Sequence, residues 1–122
     1  MEPQIKKIQL EKEYYFDEGC FITELSNSQD DAEVSIARAR VESGKTTKWH
    51  ALEGVSERYV IQAGSGEVEI DDLPVQAVSA GEVVLIPPMT RQRIKNVGKT
   101  DLVFLAICSP PFVESAYRQL ER

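Results

Sequence analysis

The chain has 122 residues, which is enough for one domain that buries about two thirds of its unfolded surface. No apolar run approaches the roughly 20 residues that span a bilayer, so we predict no membrane partner. The net charge is −6, and residues 1–33 carry all of it with nine acidic and three basic residues. An acidic chain without a basic stripe argues against nucleic acid as a partner. The first residues lack the apolar segment of a secretory signal, so we expect a cytoplasmic protein.

Residues 1–17 are polar with scattered apolar positions, and we interpret them as an N-terminal arm with one or two short strands. Whether the arm covers a pocket or reaches a partner subunit stays open at this point. After it, short runs rich in β-branched and aromatic residues alternate with turn residues, which predicts strands. These runs are residues 19–25, 33–41, 48–52, 57–63, 67–70, 75–78, 83–86, 91–96 and 101–108.

The tail, residues 113–121, has apolar residues at helical spacing, which predicts one short C-terminal helix. The preceding strands come at close intervals without the strand–helix–strand alternation of parallel sheets. This pattern predicts a single all-β domain, either a barrel or a sandwich.

Residues 33–41 alternate between large and small side chains. Ala37 and Ala39 belong to the small face, and an inward orientation of that face would leave an internal pocket. The same period of two predicts that His50, Glu57 and Gln92 are polar members of apolar inner faces. Buried polar groups need partners, so these three should meet each other or a metal ion. Cys20 and Cys108 have no metal-ligand spacing and should be free thiols.

Two segments carry a resemblance to the cupin superfamily. The first, residues 44–64, resembles G-x5-H-x-H-x3,4-E-x6-G, with Gly44, His50, Glu57 and Gly64 in place and Leu52 at the second histidine. The second, residues 81–96, resembles G-x5-P-x-G-x2-H-x3-N, and its members are Gly81, Pro87, Met89 instead of glycine, Gln92 instead of histidine, and Asn96. The resemblance implies a double-stranded β-helix, also called a jelly-roll barrel.

In metal-binding cupins the two histidines and the glutamate of the first motif and the histidine of the second bind a divalent ion. The resemblance therefore implies His50, Glu57 and Gln92 as a reduced ligand set for Mn²⁺, Fe²⁺ or Zn²⁺. The alternative is a metal-free polar pocket in which these side chains bond to one another. The resemblance also implies a homodimer.

The predicted pocket combines these ligands with the inner faces of the neighbouring strands. Glu57 is the candidate general base, and the hydroxyl of Tyr59 is the candidate donor to a ligand. The other lining residues are predicted to be Leu52, Ala37, Ala39, Ile61, Ile94, Phe104, Ala106 and Cys108. The arginines fall on outward faces: Arg38, Arg40, Arg58, Arg91 and Arg93.

Three functions stay open on the sequence. The chain is similar to small bacterial cupins named after sugar-phosphate isomerases, which implies a metal-dependent, isomerase-like enzyme for a small sugar or other oxygenated molecule. The loss of two ligands at Leu52 and Gln92 favours a non-catalytic sensor or carrier of a small molecule. The third hypothesis is a dimeric scaffold with a vestigial pocket.

Overall fold

Two antiparallel sheets packed face to face make up the computed structural model, which describes residues 1–121. A six-stranded sheet has the order β1-β2-β3-β10-β5-β8, and a five-stranded sheet has the order β11-β4-β9-β6-β7. The crossing connections and the antiparallel pairing are those of the jelly-roll barrel, so the predicted fold class is confirmed. The strands are β1 (Tyr14–Phe16), β2 (Cys20–Ser26), β3 (Ser35–Val41), β4 (His50–Leu52), β5 (Ser56–Ala63), β6 (Ser65–Ile70), β7 (Gln76–Ser79), β8 (Val83–Ile86), β9 (Gln92–Asn96), β10 (Leu102–Ser109) and β11 (Tyr117–Gln119).

The inner faces follow the alternation of the sequence. On β5 the buried residues are Glu57, Tyr59 and Ile61, and on β9 they are Gln92, Ile94 and Asn96. The small face of β3 also points inward, beside the inner face of its neighbour β10 in the same sheet. The main core cluster fills one end of the space between the sheets; its largest members are Tyr59, Phe104, Ile61, Ile94 and Leu102.

Two residues of the motifs serve the backbone. Gly64 has φ +88°, and a Cβ at this position would lie 2.6 Å from the carbonyl oxygen of Asp101, so no side chain fits. Asn96 is fully buried and donates from Nδ2 to the carbonyls of Val41 and Thr100, both at 2.8 Å. These contacts close the end of the barrel away from His50.

The arginines lie outside the barrel, as predicted. Arg40 pairs with Glu13 at 2.6 Å, and Arg38 pairs with the same carboxylate at 3.4 Å. On the other sheet Arg93 pairs with Glu69 at 3.0 Å. Among residues 1–121 no helix is both long and apolar enough to cross a membrane.

The predicted C-terminal helix over residues 113–121 is wrong. The segment has a single 3-10 turn, Glu114–Ala116, and then forms β11 beside β4. A helix of nine residues is marginal by itself, because few backbone bonds offset its nucleation. The free edge of β4 instead offers backbone partners: Leu120 N–H donates to the Trp49 carbonyl at 2.9 Å, and Glu53 N–H donates to the Ala116 carbonyl at 2.8 Å.

Candidate functional site

A cavity of about 70 Å³ lies between the sheets, at the end opposite Asn96. Small side chains create it. Ala37 of β3 is in register with Ala106 of β10, and these two adjacent methyl groups leave space that larger side chains would fill. Tyr59 of β5 is in register with Ala106 on its other side. An apolar cavity of about 150 Å³ can hold benzene, so this one, with less than half that volume, accommodates a molecule of about three or four heavy atoms.

The wall that comes from β4, β5 and β10 is called the motif wall here. It consists of His50, Leu52, Glu57, Tyr59, Phe104, Ala106 and Cys108. Ala37 and Ala39 of β3 complete this side. The structure therefore places these nine predicted lining or ligand residues at the cavity.

Three predicted site residues lie elsewhere. Ile61 and Ile94 are not at the cavity, because they belong to the core cluster below Tyr59. Gln92 also lies below the cavity, where its side-chain oxygen accepts a hydrogen bond from the Tyr59 hydroxyl. Strand alternation correctly gave their inward direction but could not give their depth along the barrel. Ile61 and Ile94 pack in the core cluster together with Tyr59, and Gln92 reaches the cavity only through its contacts with Tyr59 and Glu57.

The rest of the lining comes from segments near the two ends of the chain, which lie beside β3 and β4 at the sheet edges, and we call it the terminal wall. It consists of Tyr14, Phe16, Glu18, Ile22, Glu24, Phe112 and Tyr117. None of these residues was predicted to line the pocket. A sequence signal was present for three of them, because Tyr14, Phe16 and Glu18 follow one another at every second position at the end of the arm and just after it.

Glu18 lies in the turn between β1 and β2 and contacts the lone histidine directly. Its Oε1 is 2.8 Å from His50 Nε2, and the two side chains are 12% and 2% exposed. The turn is held against the start of β4, because Lys48 N–H donates to the Glu18 carbonyl at 2.7 Å. The thiol of Cys20 donates to the second carboxylate oxygen at 3.4 Å.

The hydrogen bonds of His50 determine which of its nitrogens carry protons. Nδ1 is 2.7 Å from the Lys48 carbonyl, which can only accept, so Nδ1 bears a hydrogen. Burial disfavours the charged ring, but the charge and hydrogen bond of Glu18 outweigh it with help from Lys48 and Glu57, and the pKa of His50 is raised. A carboxylate oxygen can only accept, so the 2.8 Å contact with Glu18 places a hydrogen on Nε2 as well, and His50 and Glu18 form a buried imidazolium–carboxylate pair. The ring of Tyr117 stacks on the imidazole, with the ring centroids 5.4 Å apart.

Glu57 is the least satisfied group of the motif wall. It is 8% exposed; its Oε2 accepts from the Cys108 thiol at 3.8 Å, and its Oε1 has no hydrogen-bond partner. Burial raises the pKa of Glu57 to about 7, and the negative charge of Glu18 acts in the same direction. The charge of His50 and the hydrogen bonds of Gln92 and Cys108 lower this pKa, but by less. A carboxyl group with this pKa exchanges a proton readily at neutral pH.

The predicted metal ligands do not fit an ion in this arrangement. Both nitrogens of His50 are engaged, by Glu18 and the Lys48 carbonyl, and the oxygen of Gln92 is engaged by Tyr59. Only Glu57 Oε1 is free. Within residues 1–121 no group of three or more His, Cys, Asp or Glu side chains is arranged to hold a metal ion. The groups that remain available for chemistry are therefore the side chains of the site.

Comparison with known proteins places this geometry in a family. An uncharacterized protein of Methanocaldococcus jannaschii is 32% identical over 103 residues, which cover 83% of this chain and 82% of the relative. A double-stranded β-helix protein of Klebsiella pneumoniae superimposes with a TM-score of 0.75 at 12% identity, over 92% of this chain and 93% of the other.

The similar structures include an enzyme. The nucleoside dehydratase Pac13, from Streptomyces, superimposes with a TM-score of 0.77 at 18% identity, over 97% of this chain and 92% of its own. At such identities the likeness shows the fold alone. The family model described as "Cupin domain" matches residues 37–108, which include both motifs and most of the motif wall. The match spans more than half of the chain, and the chain therefore belongs to the cupin family.

Proposed function

We propose that the protein is a metal-independent proton-transfer enzyme for a small carbonyl compound, with Glu57 as the catalytic base. One observation carries the proposal: a buried carboxyl group with a pKa near 7 has an unpartnered oxygen in the wall of an otherwise mainly apolar cavity. A carboxyl group poised between its two protonation states is suited to general acid–base catalysis.

The proposed step is an enolisation. Glu57 carboxylate takes the proton from the carbon next to the carbonyl group, the electron pair of that C–H bond forms a carbon–carbon double bond, and the π pair of the carbonyl group moves to its oxygen. The positive charge of His50 stabilises the negative charge that develops there without a hydrogen bond, because the ring lies in the same wall of the cavity and both of its nitrogens are bonded to Glu18 and Lys48. Where the deprotonated carbon carries a hydroxyl group, transfer of the hydroxyl proton to the enolate oxygen and return of the proton from Glu57 to the former carbonyl carbon give an isomer. Where the next carbon along carries a hydroxyl group, that group leaves with the proton of Glu57 as water, the carbonyl group re-forms, and the product is an unsaturated carbonyl compound.

Glu18 and Tyr59 support the step without contacting the substrate in this proposal. Glu18 holds His50 in the charged, doubly protonated form through the 2.8 Å contact with Nε2. The Tyr59 hydroxyl is committed to Gln92, so its proposed role is to fix the floor of the cavity rather than to donate to a ligand. The stack of Tyr117 on His50 limits rotation of the imidazole ring.

Hydrogen–deuterium exchange into simple ketones tests the proposed proton transfer. Acetone, hydroxyacetone and dihydroxyacetone have about four to six heavy atoms, and acetone comes closest to the volume of the cavity. In D₂O the protein should speed deuterium incorporation into at least one of them, followed by ¹H NMR. Glu57→Gln should slow the catalysed exchange by about 100-fold or more. Glu67→Gln, at an exposed position of β6, is the matched control and should leave the rate unchanged.

Two further arms separate this function from the alternatives. Exchange should persist in EDTA; loss in EDTA with recovery on addition of Mn²⁺, Fe²⁺ or Zn²⁺ would support the metal-dependent enzyme instead. Binding of these compounds without exchange would support the non-catalytic sensor or carrier. Equal exchange by the wild type and Glu57→Gln would remove Glu57 from the mechanism.

A further inference from the structure

The charged groups of the cavity are all of one sign apart from His50. Three carboxyl groups line it, those of Glu18, Glu24 and Glu57, and no lysine or arginine does. Glu18 is paired with His50, whereas Glu24 and Glu57 have no Lys, Arg or His partner within 4.0 Å among residues 1–121. An anion entering this space would lose its hydration and gain no cation, so the cavity disfavours phosphate and carboxylate ligands.

Aromatic rings are concentrated at the same place. Six of the eight Phe and Tyr residues of the chain line the cavity. Four of them belong to the terminal wall, where the ring of Phe16 lies 6.5 Å from Phe112 and 5.2 Å from Tyr117, both edge to face. The fourth ring of that wall, Tyr14, donates from its hydroxyl to Glu24 at 3.1 Å. The ring faces carry negative electrostatic potential, which attracts cations within about 6 Å.

Two polar atoms in the cavity have no partner. Glu57 Oε1 is one, and the hydroxyl of Tyr117 is the other. A buried polar atom without a partner costs about 1–3 kcal/mol, so both should gain from a ligand. A carboxylate oxygen accepts, and a phenol oxygen can also accept, so a ligand with N–H donors suits the Tyr117 hydroxyl while Glu57 stays available as a base.

We propose that the terminal wall recognises a protonated amine, so that the ligand is a small organic cation held among Tyr14, Phe16, Phe112 and Tyr117. The inference rests on the proposed function only in taking this cavity as the ligand site, and it adds the substrate class: an amine-bearing carbonyl compound. The ammonium group contacts the rings of the terminal wall, and Tyr117 accepts one of its N–H groups. The carbonyl end then reaches His50 and Glu57 on the motif wall.

Three probes that share an isopropyl group and differ in charge test this proposal: isopropylammonium, 2-propanol and isobutyrate. Titrations followed by NMR give their affinities and show where they bind, since the amide signals of Ala37 and Ala106 report on the cavity wall. Isopropylammonium should bind about 10-fold more tightly than 2-propanol, and isobutyrate should bind most weakly. Equal affinity for the three probes, or no binding of any of them, would overturn the proposal.

Adjacent tyrosines of β1 provide a matched pair of variants. Tyr14 lines the cavity, whereas Tyr15 is 58% exposed and packs against Phe21 on the other face. Tyr14→Leu should weaken isopropylammonium binding by about fivefold, and Tyr15→Leu should leave it unchanged. Glu24→Gln should weaken it by about threefold in low salt and less in high salt. Equal losses in Tyr14→Leu and Tyr15→Leu would count against the aromatic site.

The two proposals fail in different ways. If the protein catalyses exchange into uncharged ketones but binds the three probes equally, the proposed amine site is rejected and the proposed proton transfer is retained. Selective binding of isopropylammonium by a protein that exchanges no ketone hydrogen would leave the amine site and remove the catalysis. The Glu57→Gln variant should lose exchange while it still prefers isopropylammonium to isobutyrate.

Discussion

The motif wall and the terminal wall of the cavity differ in origin and in chemistry. The motif wall comes from the central strands β4, β5 and β10 and contains His50 and Glu57, the two groups of the proposed proton transfer. The terminal wall comes from segments near both ends of the chain and contributes aromatic rings and the carboxyl group of Glu18. The motif wall alone would leave Nε2 of His50 without the carboxylate that bonds to it. Together they form a site in which one wall supplies reactive groups and the other sets their charge and surroundings.

Support from the backbone differs in the same way. β5 lies between β10 and β8, and β10 lies between β3 and β5, so these strands have hydrogen-bonded neighbours on both sides. In contrast, β1 and β11 have three residues each and lie at the sheet edges. Short edge strands open at lower free energy than central ones. We therefore expect the terminal wall to move first when a ligand enters or leaves.

The largest expected effect is on the motif wall, through the free energy that burial of Glu57 costs. A pKa raised from 4.5 to about 7 means that the folded state holds this proton more tightly than the unfolded state. The protonated carboxyl group therefore makes its full contribution to the free energy of unfolding below pH 4.5, and this contribution is lost as the pH rises through about 7. Glu57→Gln cannot ionise, so its free energy of unfolding relative to wild type should rise by about 3 kcal/mol between about pH 4 and about pH 8.

Urea denaturation at a series of pH values measures this difference. The exposed Glu67→Gln variant should show a difference that stays flat over the same range. A flat profile for Glu57→Gln would mean that the carboxyl group is solvated in the folded protein. The base assigned to the motif wall would then lack its raised pKa.

The second effect tests how the terminal wall is held together. Phe16 is half-buried, and its ring joins the two ends of the chain by packing on Phe112 and Tyr117. Phe16→Ala should lower the free energy of unfolding by about 2 kcal/mol, which is less than for a core phenylalanine because the ring is partly exposed. Tyr15→Ala, on the same strand but 58% exposed, should cost less than about 1 kcal/mol.

Hydrogen exchange of the backbone amides shows where Phe16→Ala acts. Protection should fall in β1 and β11 and stay unchanged in β5 and β10, since the terminal wall alone loses a contact. Uniform loss of protection across all strands would show that the two walls unfold as one unit.

The sequence predicted the motif wall well because strand alternation is a local property. The spacing from His50 to Glu57 and the alanines at 37 and 39 identify inward positions from neighbouring residues alone. Alternation carries no information on depth, which explains why Ile61 and Ile94 were expected at the cavity although they pack in the core cluster. The fold class follows from the same local pattern repeated along the chain.

The terminal wall was not predicted because it depends on contacts between segments far apart in sequence. Glu18 meets His50 only because the turn of the first hairpin docks on Lys48. The tail illustrates the same limit. Its apolar spacing is compatible with a helix, but the open edge of β4 offers backbone partners to β11, and no local pattern shows that this edge is free.

The smallest effect we predict is on the contact that joins the two walls. Glu18→Gln removes the carboxylate that keeps His50 charged, while the amide can still face Nε2. Burial then dominates, and the pKa of His50 should fall, measured from the ¹H NMR signals of the single imidazole. Asp17→Asn, at the exposed neighbouring position, should leave this pKa unchanged. In the wild type the raised pKa of His50 contributes stability at pH values below the ordinary histidine pKa, and this contribution is lost as the pH rises through the raised value. The Glu18→Gln variant should therefore lose most of its stability difference from wild type in alkaline solution, whereas an unchanged pKa of His50 would mean that the terminal wall does not set the charge of the motif wall.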